Sequence, residues 1–129
     1  MGTHRIRIQI GEIDLIATLN QSETASRIWE ALPLQENGIR WGDEIYFEIP
    51  VDIAIASDAR QEMVIGELAY WPQGHAFCIF FGPTPVSLGD EPRAYSNVNP
   101  VGQIEDNAEV LANVVDGAAI TVRRLEEKT

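Results

Sequence analysis

The most constraining feature of the chain is its opening alternation: Ile6, Ile8 and Ile10 fall on one side while Arg5, Arg7 and Gln9 fall on the other. A period of two with apolar residues on one face is the pattern of a half-buried strand, because successive side chains point to opposite faces of a sheet. Gly11-Glu12 reads as a tight turn into a second strand, Ile13 to Leu19, so the two form an antiparallel hairpin. A hairpin with one apolar face needs further strands or helices to cover it.

Those strands are supplied downstream. Glu44 to Ile49, Met63 to Ile65, Leu68 to Trp71, Ala76 to Phe81, Val101 to Ile104 and Ala119 to Leu125 all read as strands, most of them rich in β-branched or aromatic residues. Turn signals at Asn37-Gly38, Pro50, Gly66, Pro72-Gln73-Gly74, Gly82-Pro83 and Asp116-Gly117 punctuate them. Two helices interrupt the series. The first has Asn20 as its cap with Glu23 completing a capping box, an apolar face of Ala25, Ile28, Trp29 and Leu32, and Pro33 as its stop. The second is short, capped by Asp106 with Glu109 and carrying Leu111 and Val114. Pro83 to Asn99 reads as a long surface loop, and the tail from Glu126 to Thr129 as frayed. About eight short strands and two helices predict a mainly β fold, a closed or nearly closed barrel, because closure removes strand edges that invite aggregation.

Composition narrows the setting. A chain of 129 residues fits a single domain spanning 1–129. Its 20 acidic and 9 basic residues give a net charge of −11. That balance argues against nucleic-acid binding and against an anionic membrane surface, both of which need basic patches. Cys78, the one cysteine, lies in an apolar run and reads as a buried, inert thiol. No apolar run approaches the roughly 18–20 residues of a membrane span. The start of the chain shows no secretory pattern, and Ile6 stands where a myristoylation signal after Gly2 needs Ser or Thr. These points lead by elimination to a cytoplasmic protein. With two histidines and one cysteine, no spacing matches a metal motif, and no nucleotide fingerprint is present. The expectation is therefore no metal and no cofactor.

Several longer segments carry a family resemblance. Ser22 to Leu32 resembles the first helix of cyclophilins, and Gly66-Glu67-Leu68 leading into Phe80-Phe81 resembles the cyclophilin run from a glycine-leucine pair to paired phenylalanines. Val101-Gly102-Gln103-Ile104, with Val110 and Leu111 after it, resembles the late cyclophilin strand and helix. More closely still, Trp41-Gly42-Asp43-Glu44-Ile45-Tyr46-Phe47, the block from Tyr70 to Pro85, and Ser96-Asn97-Val98-Asn99-Pro100-Val101-Gly102 resemble a prokaryotic family of cyclophilin-like domains without a settled activity.

The cyclophilin resemblance raises prolyl isomerisation, whose barrier of about 18–20 kcal/mol comes from amide resonance. In cyclophilins an arginine guanidinium donates to the prolyl nitrogen. The matching segment Tyr46-Phe47-Glu48-Ile49-Pro50 places Glu48 there, and a carboxylate accepts where a donor is required. The glutamine before the paired phenylalanines has no counterpart, Val98 replaces the family's histidine, and no tryptophan lies between Gly82 and Gly102. The expectation is a barrel without efficient isomerase activity.

The resemblance places Tyr46, Glu48, Tyr70, Trp71, Phe81, Thr84, Asn97 and Asn99 on or beside the face where such barrels form a pocket. Two readings compete for them: aromatic walls with a few polar groups fixing a ligand, or barrel core for the aromatics and turn hydrogen bonding for the asparagines. Glu48 and His75 are weak candidates for an acid–base pair; His4 carries no specific role. The leading functional expectation is binding of a small molecule or short peptide. The alternatives are an enzyme of another class, such as the amide-bond hydrolases that carry related domains, or a homo-oligomeric interaction module using the 83–99 loop.

Overall fold

The computed structural model describes residues 4–125. The opening alternation becomes strands β1 (His4–Ile10) and β2 (Ile13–Leu19), paired antiparallel with Ile8 opposite Leu15. Ile6, Ile8, Ile10, Leu15, Ala17 and Leu19 all face inward and are buried. Helix α1 (Glu23–Ala31) follows, and its cap is Ser22 rather than Asn20. Ser22 Oγ accepts from the Ala25 N–H at 3.1 Å. Asn20 is engaged elsewhere: its Oδ1 accepts from the Ser22 N–H and its amide donates to the Pro100 carbonyl, each at 3.0 Å.

The remaining strands are β3 (Leu34–Asn37), β4 (Ile39–Trp41), β5 (Glu44–Glu48), β6 (Arg60–Glu62), β7 (Glu67–Trp71), β8 (Ala76–Phe80), β9 (Arg93–Ile104) and β10 (Ala119–Arg124). Among the described residues they build one ten-stranded sheet in the order β3-β10-β1-β2-β9-β7-β8-β5-β4, with β6 on β9. The fold is mainly β as expected, but it has more than eight strands and the sheet is not closed. Its two ends, β3 and β4, are successive stretches of chain meeting at Gly38. Gly38 spends its backbone on the 117–118 turn, donating to Ala118 and accepting from Gly117, both at 2.8 Å. A Cβ at Gly38 would lie 2.5 Å from Ile120 Cδ1, so the bend depends on glycine.

Three further expectations are corrected. The strand expected at Met63 to Ile65 lies at Arg60–Glu62, with Met63 turned into the interior. The expected surface loop is strand from Arg93 onward, because β9 runs for 12 residues. Its pairing shifts register against both β6 and β7, which breaks the alternation that reveals a strand in sequence. The second helix is a 3₁₀ segment, Ala108–Asn113, capped by Asn107, whose side chain accepts from the Glu109 N–H at 2.9 Å. Asp106 instead accepts from the Ile16 N–H at 2.9 Å. The tail 126–129 lies outside the described residues. No helix among the described residues is long and apolar enough to cross a membrane.

Apolar residues occupy both faces of β7 and β8, so the molecule has two cores. Ile45, Phe47, Leu68, Tyr70, Phe77 and Ile79 point into the main core, beneath β1 and β2. Ala69, Ala76, Cys78 and Phe80 point the opposite way, into a smaller cluster closed by Met63, Ala94 and Val98. The smaller cluster positions the site.

Candidate functional site

Alternation on β5 sends Glu44 and Tyr46 to the outer face, and register sets Tyr46 opposite Cys78 on β8, which in turn lies opposite Ala69 on β7. Small side chains dominate this face: Ala69, Ala76, Cys78 and Ala94. They leave a cavity of about 250 Å³. Cys78, Ala94 and Val98 are buried residues at its base, and the half-buried Trp41, Tyr46 and Trp71, with the exposed Tyr95, wall it.

The walls meet nearly at right angles. Trp41 and Tyr95 stand edge to face at 6.2 Å and 70°, Tyr95 and Trp71 at 5.9 Å and 72°, and Trp71 and Tyr46 at 6.2 Å and 86°. Trp71 is locked by its indole N–H, which donates to Ser96 Oγ at 2.8 Å.

Glu44 is the polar group of the cavity. It is only 5% exposed, and its Oε1 is buried without a hydrogen-bond partner among the described residues. Burial pushes its carboxyl up to about 7, and hydrogen bonding with the Cys78 thiol opposes that rise. Burial, and next the charge of Glu44, raise the Cys78 thiol well above its usual value. The same two causes, in the same order, raise the Tyr46 phenol. Near neutral pH Glu44 is therefore the group of this site poised to exchange a proton.

A model of the cyclophilin-like family matches residues 4–123. The chain belongs to the cyclophilin-like family. It is also similar to the solution structure of a hypothetical protein from Archaeoglobus fulgidus, at 36% identity and a TM-score of 0.82, covering 95% of each chain. No curated protein matches it.

Of the residues singled out from sequence, this cyclophilin-like domain brings Tyr46 and Trp71 together at the cavity. Glu48 shares their face of the sheet but is exposed beyond the cavity. His75 has a left-handed backbone with φ of 51° and turns to Asp52, Nε2 to Oδ1 at 3.4 Å. Among the described residues no hydrogen bond or ion pair links His75 with Glu48. Tyr70 lies in the main core, its hydroxyl donating to the Val51 carbonyl. Phe81 is buried under the Arg40 guanidinium, 4.9 Å from the ring centre. Thr84 organises the 83–92 loop, donating to the Arg93 carbonyl. Asn97 lines a separate hollow with Ile55, Pro72, Gln73 and Ser96. Asn99 is 1% exposed and ties three segments together. No cluster of three or more metal-ligating side chains occurs among the described residues.

Sequence reasoning missed Glu44, Trp41 and Tyr95 as site residues and read Cys78 as plain core. One signal was available. Ala76 to Phe81 is apolar at every position, so both faces of that strand are covered, and Glu44, two residues from Tyr46, belongs to the outer cover.

Proposed function

We propose that this chain, as one domain spanning 1–129, binds a small organic molecule in the cavity walled by Trp41, Tyr46, Trp71 and Tyr95. The observation that carries the reading is the buried, unpartnered Oε1 of Glu44 at that cavity. A buried carboxyl short of partners costs about 1–3 kcal/mol per unpaired atom, and a ligand group that pairs with the Glu44 carboxyl offsets part of that cost. Ligand sites are typically apolar hollows with a few fixed polar groups, about 300–1,000 Å³ for drug-sized ligands. A volume of about 250 Å³ lies below that range and favours a small molecule, or one side chain of a peptide, over an extended chain. Efficient prolyl isomerisation is not part of the reading, since among the described residues the cavity lining offers a carboxyl acceptor and no guanidinium.

The test is a ligand screen followed by the indole N–H resonances of Trp41 and Trp71. Binding here moves both resonances and raises the melting temperature, because a ligand selective for the native state stabilises it. A diverse library that moves neither resonance refutes the reading.

The Glu44 carboxyl, at about 7, also favours a second reading, an enzyme using it as general base. Cys78 is a poor nucleophile beside it, because its raised pKa keeps the thiol protonated. Amide hydrolysis with a pH profile centred near 7 and abolished by Glu44→Gln would establish the enzyme reading.

A further inference from the structure

We infer that the ligand is a small organic cation whose alkylammonium group sits between the four aromatic rings, with the Glu44 carboxylate as its counter-ion. This rests on the small-molecule reading and narrows it.

Ring geometry is the first support. Three successive edge-to-face contacts, at 70°, 72° and 86°, turn the planes of the four lining rings through right angles, so that the cavity is not walled by parallel stacked rings. Aromatic faces are electronegative, and tryptophan is the strongest of them toward a cation. Rings elsewhere in the molecule are arranged for packing instead: Phe47 and Phe77 lie nearly parallel at 25°, His4 and Trp29 at 10°.

Charge is the second support. Among the described residues, the cavity lining includes no lysine, arginine or histidine. Arg40 and Arg124 already sit over rings of their own, Phe81 at 4.9 Å and Trp29 at 4.6 Å. At the cavity the rings are matched instead with a buried carboxyl whose Oε1 has no hydrogen-bond partner among the described residues. An anion placed there would meet Glu44 at close range in a poorly solvated site, whereas a cation supplies the counter-charge that the lining lacks. The net charge of −11 steers cations toward the protein and anions away.

Proton linkage follows. The titratable groups facing Glu44 are Tyr46 on its own strand and Cys78 on β8, and both stay neutral near pH 7. A bound cation favours ionised Glu44, so affinity rises with pH toward about 7 and levels off above it.

The experiment titrates choline and its uncharged carbon isostere, 3,3-dimethylbutan-1-ol, into the full chain, following the Trp41 and Trp71 indole resonances. Choline is expected to move both and to bind at least about tenfold more tightly than the isostere. Glu44→Gln, a near-isosteric change, is expected to lower that ratio several-fold with the fold intact, leaving the share owed to the rings. Trp41→Leu, at a half-exposed position, provides a second variant and weakens choline alone. A trimethyl-lysine amide run in parallel distinguishes sources: tighter binding than choline means that a side chain delivers the head group. Equal binding of choline and its isostere, or library hits that are all neutral, overturns the cation inference and leaves the small-molecule reading standing. No binding by either probe or by the library overturns both.

Discussion

The indole N–H of Trp71 donates to Ser96 Oγ at 2.8 Å, and the Ser96 hydroxyl passes the chain on to Gln73 Oε1 at 3.1 Å. One wall of the cavity is thus fixed by the strand beside it and by the turn that follows it. Gly74 completes the mount, because a Cβ there would stand 2.6 Å from Trp71 Cε3. Ser96→Ala is expected to cost about 1 kcal/mol in urea denaturation and to shift the Trp71 indole resonance. Gly74→Ala displaces the ring itself, so it should weaken ligand binding more than it lowers stability. A Gly74→Ala protein that binds as the parent does would show that Trp71 is not a wall of the site.

Glu44 gives stability a dependence on pH with a definite sign. Its folded pKa of about 7 lies above the ordinary 4.5. Below about pH 4.5 both states carry the proton and its contribution is complete. Between about 4.5 and 7 the unfolded chain loses the proton while the folded protein keeps it, so stability falls as pH rises, by on the order of 3 kcal/mol in all. Above about 7 this loss is complete. Glu44→Gln should remove the slope and leave the protein more stable than the parent at about pH 8, as read from urea midpoints. Glu105 works in the opposite direction and in a lower window. Its bonds with Arg5 and then Thr18 hold its carboxyl down to about 2, so its contribution is present above 4.5 and fades as pH falls toward 2. That pair is more than a third exposed, and solvent screens it.

Asn99 belongs to the architecture. Its amide donates to Thr24 Oγ1 and to the Ala54 carbonyl, each at 3.1 Å, and its Oδ1 accepts from the Ala56 N–H at 2.8 Å. Helix α1 and the irregular 54–56 stretch are thereby anchored to β9. Asn99→Ala leaves those partners unpaired at a buried position and should cost about 1–3 kcal/mol. Faster hydrogen exchange should appear at Ala56 first, with ligand binding at the cavity retained. Binding lost with the fold intact would move Asn99 into the site.

The parts legible in the sequence are those where one physical rule acts alone. Ile6, Ile8 and Ile10 alternate cleanly because one face of β1 is buried and the other is not, and the hairpin followed from that. Ala76 to Phe81 announced itself as a strand, since length and residue type agree. The site was harder for three separate reasons. Glu44, Tyr46 and Glu48 alternate with Ile45 and Phe47 and so resemble a solvent face, yet the small residues across the sheet draw Glu44 under cover. Tyr95 and Ser96 lie in a strand whose bulges erase the period of two. Trp41 sits on a three-residue strand, too short to show a pattern. Asn99, read as the end of a surface loop although it lies in β9, was ambiguous because its three partners are at least 43 residues away in sequence.

Arg40 supports the site from behind, and its substitution separates support from chemistry. Its guanidinium donates to the carbonyls of Gly42, Ala112 and Val114 at 2.7–2.9 Å and pairs with Asp43 at 2.8 Å, while lying over the Phe81 ring. The turn between β4 and β5 is thereby fastened to the end of the 3₁₀ segment, which holds Trp41 and Glu44 in register on either side. Lysine keeps the charge but not the planar fork, so it reaches fewer of these acceptors at once. Arg40→Lys should therefore lower stability by about 1–2 kcal/mol, and Arg40→Met by more, because Asp43 then loses its counter-charge. Both variants should still bind any ligand of the cavity once folded, with weaker affinity from a looser Trp41. If Arg40→Lys matched the parent in urea midpoint and in the Trp41 indole resonance, the bridge between this turn and the 3₁₀ segment would carry no energetic weight.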